Sequence, residues 1–240
     1  RKELKNFGTK VNKQKPTKSP KNIFDEKKLL EHYNSLENEI KKLTKKVQSR
    51  GQSLARQLER ILNLLEEYDF VDEWTLTEKG SVLAGINAEA DVVIAFLISS
   101  GLLDTLTIPE FTAVLSTFIF ESRTRDDVHS TSITQETSLI FKEAENFIAK
   151  LNRDEREAGL NETRGMDYAM VRSAYRWAQG KQLHTILEAS ELTGGDFVRA
   201  MKSVLDLSRQ IANVAPTNAL KDLCDDTIDM CFRDIVRISS

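Results

Sequence analysis

Phosphate chemistry is the first possibility raised by residue spacing. Gly80 and Gly85 form the one Gly-x4-Gly pair in the chain, but Ile86-Asn87 follow where a phosphate-cradling loop needs Lys and then Ser or Thr to hold phosphate and magnesium. Asp72-Glu73-Trp74-Thr75 begins like the acidic box of a nucleotide hydrolase and fails at its last position. Neither spacing equips this chain to hydrolyse ATP.

Metal and nucleophile chemistry fare no better. His32, His129 and His184 are scattered, and Cys224 and Cys231 form no Cys-x-x-Cys pair. In a helical pattern those cysteines are about 10 Å apart along the axis, too far to bridge, so two reduced thiols are expected. Gly-x-Ser-x-Gly elbows are absent, and Glu66-Glu67 and Asp225-Asp226 are adjacent pairs that diverge on a helix. No catalytic constellation, metal site or bound cofactor is expected within the chain.

One arrangement does suit binding. Arg199, Lys202, Ser203, Asp206, Gln210 and Asn213 recur at three- and four-residue steps, opposite Phe197, Met201, Val204, Leu205, Ser208, Ile211 and Ala212. A helix over about 195–214 would bury the second set and turn a continuous polar stripe away from the core. Charge is also unevenly placed. Residues 1–24 hold Arg1, Lys2, Lys5, Lys10, Lys13, Lys15, Lys18 and Lys21 against Glu3 alone, although the formal net charge of the whole chain is -3. Such a segment reads as a solvated basic linker, or as an electrostatic contact with nucleic-acid phosphates.

The elements that must position this stripe follow from composition and periodicity. With 240 residues, 40% of them hydrophobic and only 10 Gly and 4 Pro, the chain can bury a core and favours a mostly all-α fold over a β-sandwich. No run is long enough to span a bilayer and no signal-peptide pattern opens the chain, so a soluble, cytoplasmic protein is expected. The first residue is not Met, which suggests a domain cut from something larger.

From Asp25, Tyr33, Leu36, Ile40, Leu43 and Val47 trace a heptad seam, the pattern of a coiled-coil-like stalk helix over residues 25–50. Ser49-Arg50-Gly51-Gln52 reads as its end, with Ser53 capping a new helix. A short hairpin is expected between Tyr68 and Gly80, with Thr77 capping the next helix. Short helices then follow in sequence: one sharing Ala90, Val93, Ile94 and Leu97, one capped by Thr107 with Pro109 and Glu110 in its first turn, one ending before a loop from Asn152 to Gly165, and one bearing Val171, Ala174 and Ala178 with Trp177 alongside. The final helix carries Leu220, Leu223, Cys224, Ile228, Cys231 and Ile235. Such a succession describes an orthogonal helical bundle.

Four stretches, in order, resemble one family: Leu76-Thr77-Glu78-Lys79-Gly80-Ser81-Val82-Leu83-Ala84, Leu115-Ser116-Thr117-Phe118-Ile119-Phe120-Glu121-Ser122-Arg123, Ala174-Tyr175-Arg176-Trp177-Ala178 and Gly195-Asp196-Phe197-Val198-Arg199. With Arg233-Asp234-Ile235-Val236 near the end, they are similar to the C-terminal part of HelY-like DExH-box helicases, relatives of the exosome-associated RNA helicases. The resemblance implies a stalk over residues 25–50, the remainder of a winged helix over 51–87 and a DSHCT helical bundle over 88–240. It also implies that the helix from Gly195 is the ratchet helix, whose Arg199, Lys202, Ser203, Asp206 and Gln210 would face a single strand of RNA or DNA. Two RecA-like ATPase modules, with their ATP and magnesium, would lie upstream in the same protein. Relatives from eukaryotes place a basic residue at the position of Ser203, and Arg199 could instead tie helices together. Two other readings compete: a helical scaffold using the Tyr33-to-Val47 seam to dock a protein partner, and a stand-alone winged helix, for which the segment after Gly51 is too short.

Overall fold

The computed structural model describes residues 20–122 and 133–238. Most of the basic segment, His129 and the last two residues lie outside that range. Two compact units divide the chain, residues 1–58 and 59–240.

Helix α1 spans Pro20–Glu67, so the stalk helix begins five residues before Asp25 and does not stop at Ser49-Arg50-Gly51-Gln52. Pro20 suits a first helical turn because its missing N–H would find no helical partner there. Gly51 costs a helix interior about 1 kcal/mol relative to Ala, less than the cost of ending one helix and nucleating another. In the first unit the seam residues Tyr33, Leu36, Ile40 and Leu43 are all exposed. The last turns of α1 belong to the second unit, where Leu64 and Leu65 pack against the core.

After α1 the chain reverses through a two-stranded antiparallel hairpin, β1 (Val71–Asp72) with β2 (Thr75–Leu76), paired Val71 to Leu76 and Asp72 to Thr75. Helix α2 (Glu78–Ala84) follows directly, and Thr77 caps it by accepting the Gly80 N–H at 3.0 Å. Gly80 is required there by packing. A Cβ at that position would stand 1.8 Å from the Phe70 carbonyl oxygen, a backbone atom that cannot move aside.

The bundle continues with α3 (Asp91–Ser99), α4 (Ile108–Ile119), α5 (Gln135–Glu157), α6 (Val171–Ala178), α7 (Leu183–Glu188), α8 (Gly194–Val214), α9 (Asn218–Cys231) and α10 (Asp234–Ile238). The described residues are thus mostly helical, with one small sheet. Helix α4 lies at the centre and packs against α6, α8 and α9. Every residue from Glu110 to Phe118 is buried, so its polar groups need partners inside the protein. They find them locally: Thr112 donates to the Ile108 carbonyl at 2.7 Å, Ser116 to that of Ala113 and Thr117 to that of Val114. Glu110 closes a capping box, accepting the Thr107 N–H at 2.9 Å and the Thr107 hydroxyl at 2.6 Å.

Helix α5 runs past Asn152, against the expected loop, and ends at Glu157. The polar run from Asn152 to Glu157 contains no breaker. Gly159, at φ +67, supplies the left-handed conformation that ends the helix, with the Leu160 N–H returning to the Glu155 carbonyl at 2.8 Å. Ile235 is also corrected. Helix α9 stops at Cys231, Asp234 takes φ +46, and the turn exposes Ile235 while burying Val236 completely.

Trp177 is wholly buried beneath α8. Its ring meets Phe197 edge-on at 5.5 Å, its indole N–H donates to the Cys231 carbonyl at 3.0 Å, and the Arg233 guanidinium covers its face at 3.7 Å. Arg233 also donates to the carbonyls of Trp177 and Lys181 at 2.9 and 2.8 Å. One arginine therefore joins the ends of α6 and α9.

Two outcomes follow. Gly80→Ala will lower stability by about 3 kcal/mol, because overpacking against backbone outweighs the gain in helix propensity of about 1 kcal/mol. Gly165→Ala, where a Cβ meets nothing within 4 Å, will leave the urea midpoint almost unmoved. Burial alone would raise the Glu110 carboxyl above its ordinary value of 4.5, but the bonds from Thr107, aided by Thr134, hold it lower. Its stabilisation is complete above that ordinary value and lost as pH falls through the depressed one. Glu110→Gln will therefore be less stable than the parent at neutral pH, and the gap in melting temperature will narrow between about pH 5 and pH 3.

Candidate nucleic-acid interface

Helix α8 starts where Thr193 accepts the Asp196 N–H at 3.1 Å, an ordinary side-chain cap. Its sequence alternates apolar and polar residues at helical spacing, and the structure resolves the two faces. Phe197, Ala200, Met201, Val204, Leu205, Leu207, Ser208 and Ile211 are buried. Arg199, Ser203, Asp206 and Asn213 are exposed, and Lys202 and Gln210 are half-buried. The polar stripe expected from the sequence is thus open to solvent.

Four of the five proposed contact residues, Lys202, Ser203, Asp206 and Gln210, form one wall of a cleft of about 650 Å³. Phe118, Ile119 and Leu207 supply its apolar floor. Arg199 does not line it. The Arg199 side chain is 80% exposed and pairs at 3.6 Å with Asp196, one turn earlier on the same helix, so it braces no neighbouring helix. Gln210 holds the wall together, accepting the Asn87 N–H at 2.7 Å and donating to Asp206 at 2.9 Å. Nearby, a Cβ on Gly85 would stand 2.2 Å from Val214 Cγ1. A larger residue at position 85 would therefore force the Val214 side chain or the α2 end to shift.

The facing wall was not visible in the spacing of the sequence. It consists of Glu89, after α2, Glu121, after α4, and Arg164, in the loop between α5 and α6. Arg164 organises it by donating from Nη2 to the carbonyls of Phe118 and Phe120 at 3.0 and 3.1 Å. Its Nη1 lies 3.3 Å from Glu89 and 3.7 Å from Glu121. Loop and helix end are further joined by the Asp167 N–H donating to Thr117 at 3.0 Å and the Ser122 N–H donating to Asp167 at 2.6 Å. Three carboxylates, Glu89, Glu121 and Asp206, thus share the cleft with two cations, Arg164 and Lys202.

Groups that could carry bond chemistry lie elsewhere or are sealed. The Cys224 and Cys231 thiols are buried, and burial pushes them up to about 12 and about 11 respectively, which keeps them protonated at neutral pH. Gly80 lies within α2 and Gly85 abuts Val214, so this pair forms no phosphate cradle. ATP and magnesium find no fit there. Among the described residues no group of three His, Cys, Asp or Glu could hold a metal ion, and no helix is long and apolar enough to cross a membrane.

Fold and cleft together define a helical bundle closed around α4, with one long amphipathic helix, α8, whose polar flank is left open. Residues 73–239 match the DSHCT (NUC185) domain, and the chain belongs to that family. Over 244 residues, 94% of the chain, it is 28% identical to the probable helicase HelY of Mycobacterium tuberculosis (strain ATCC 25618 / H37Rv), covering 26% of that protein. The probable helicase HelY of Mycobacterium leprae is 30% identical over 225 residues, 88% of the chain and 24% of that protein. The ATP-dependent RNA helicase mtr4 of Schizosaccharomyces pombe is 26% identical over 214 residues, 84% of the chain and 19% of that protein. The chain spans about a quarter of the HelY relatives' length and less of mtr4. It is a helicase-associated DSHCT region.

Arg199→Ala will change unfolding free energy by no more than about 0.5 kcal/mol, as expected of an exposed same-helix ion pair. Arg164→Ala will cost about 2 kcal/mol, because two partly buried carbonyls lose a charged donor. Chemical denaturation of the two variants checks both. A large loss from Arg199→Ala would make that residue a brace after all.

Proposed function

We propose that this chain is the strand-gripping region of an ATP-dependent RNA helicase, with the polar flank of α8 lining the path of a single strand. The observation that carries this reading is the open stripe of Lys202, Ser203, Asp206 and Gln210 along the cleft, with Arg199 on the same helix beyond it. Membership of the DSHCT family and likeness to proteins named as helicases support it. The bundle makes and breaks no bonds. RecA-like modules of the parent protein would bind ATP and magnesium and draw the strand past α8 in the 3′ to 5′ direction.

Side chains of this kind act as a ratchet by brief contact. Stacking or hydrogen bonding worth about 1–3 kcal/mol per base resists backsliding yet releases within each cycle. Ser203 contributes hydrogen bonding without charge, so cationic grip along the stripe falls to Arg199 and Lys202. The basic residues before Lys21 would add sequence-independent attraction to phosphates.

A second reading rests on the exposed seam of α1, whose Tyr33, Leu36, Ile40 and Leu43 suit a helical protein partner. A salt titration separates the two. Single-stranded RNA binding by the 240-residue chain will weaken steeply with salt, with a log–log slope of about -0.7 for each phosphate neutralised. No RNA binding, combined with concentration-dependent dimerisation, would favour the scaffold. The same preparation will show no ATP turnover, and measurable hydrolysis would overturn the assignment of the motor to other modules.

A further inference from the structure

The open flank of α8 has two edges that differ in chemistry. Ser203, Leu207 and Gln210, at steps of four and three, mark the edge that borders the cleft. Lys202 and Arg209 each stand one residue before a member of that row, and so lie about 100° round the helix from it. Seven residues separate these two cations, which puts them on one side of α8 and about 10.5 Å apart along it. Lys202 still reaches the cleft, whereas Arg209 does not line it.

No contact within the bundle accounts for Arg209. It is exposed and, among the described residues, forms no hydrogen bond or ion pair. The acids on α8 are Asp196 and Asp206. Asp196 pairs with Arg199 at 3.6 Å and Asp206 accepts Gln210 at 2.9 Å, so neither serves Arg209. The last turn of α8 holds no basic residue, so Arg209 is not placed to offset the helix dipole either. Arg156, Arg164 and Arg233, by contrast, all donate to carboxylates or carbonyls. A guanidinium without a partner inside the protein is available to an anion outside it.

Electrostatics assign that anion to one edge of the flank. The cleft holds Glu89, Glu121 and Asp206 against Arg164 and Lys202, so the phosphates of a strand on α8 are repelled from that side. Bases carry no net charge and meet no such barrier. The planar fork of an arginine also matches two oxygens of one phosphate, which a lysine meets only as a point charge. We propose that Arg209 is a phosphate-binding residue, and that a strand lies along α8 with its backbone on the Lys202 and Arg209 edge and its bases turned toward the cleft edge. The proposal rests on the strand-gripping reading and adds to it a contact residue and an orientation.

The test is a salt titration of the 240-residue chain with 15-nucleotide strands of uridine and of adenosine. Arg209→Ala will bind the uridine strand about fivefold more weakly at low salt, and its log–log slope will be shallower by about 0.7, the loss of one phosphate contact. The adenosine strand will show the same loss, because a phosphate contact carries no base information. Arg209→Lys, which keeps the charge, will restore the slope. Arg172→Ala, which removes another exposed and unpaired charge, on α6, will leave the slope close to that of the parent chain. Both alanine variants will melt with the parent, as exposed positions do. An unchanged slope in Arg209→Ala would overturn the assignment, as would an equal loss in Arg172→Ala, which would make the effect one of net charge. A loss confined to one of the two strands would make Arg209 a base contact and overturn the orientation. No binding of either strand by the parent chain would overturn the strand-gripping reading itself.

Discussion

Helix α4 is enclosed on every side through its middle turns, and that enclosure governs where the other helices of the bundle can lie. A helix buried from Glu110 to Phe118 must meet apolar neighbours all round and satisfy its own hydroxyls, which it does through bonds to carbonyls three or four residues earlier. Helices α6, α8 and α9 close around it. Each is left with one face in the core and one outside. For α8 that division is decided by its apolar spacing, so the polar flank lies outward as a consequence of packing and needs no further force to expose it. The cleft exists because the C-terminal end of α4, carrying Phe118 and Ile119, stops beneath that flank.

Two separate devices hold α8 at this register. Toward its N-terminus, Phe197 meets the Trp177 ring, which is itself tied to Cys231 and covered by Arg233. Toward its C-terminus, Gly85 admits Val214 at close range and the Asn87 N–H donates to Gln210. The first is a wedge of buried aromatic surface, with one of its polar groups, the indole N–H, satisfied by a carbonyl. The second is a close approach of the Val214 side chain to Gly85 with a single hydrogen bond beside it. A slide of α8 by one turn, about 5.4 Å, would break both, which makes the helix a fixed rail rather than a moving part.

Much of this was legible in the sequence because periodicity reports burial directly. The two faces of α8, the caps at Thr77 and Thr107, and the core positions Ala90, Val93, Ile94 and Leu97 all follow from spacing, and the structure has them there. Element ends were less legible. Gly51 looked like a break, but a single glycine does not outweigh the cost of a new helix nucleus; Asn152 looked like a loop, but polarity without a breaker only marks an outer face. The Arg164 wall was illegible for a different reason. Its members come from three segments, and no local spacing records that a loop arginine will bind two carbonyls at the end of another helix. Glu121 lay within a stretch that carried the family resemblance, while Glu89 and Arg164 lay outside all of them.

That distinction bears on what the resemblance measures. Gly80, Trp177, Phe197 and Arg233 belong to the stretches that resemble helicases, and each has a packing role: close approach to Phe70, a buried wedge, its aromatic partner, and a bridge between helix ends. Most residues that line the cleft lie outside those stretches, apart from Phe118, Ile119 and Glu121 at the end of α4. The stretches that carry the resemblance therefore specify the frame that presents a polar flank. On that flank Ser203 places an exposed neutral hydroxyl, and the Asp206 carboxylate lies about one turn beyond it. A frame set by buried Gly80, Trp177 and Phe197 with the half-buried Arg233 fixes which flank of α8 stays open, so residues on that flank can be exchanged without disturbing the packing beneath them.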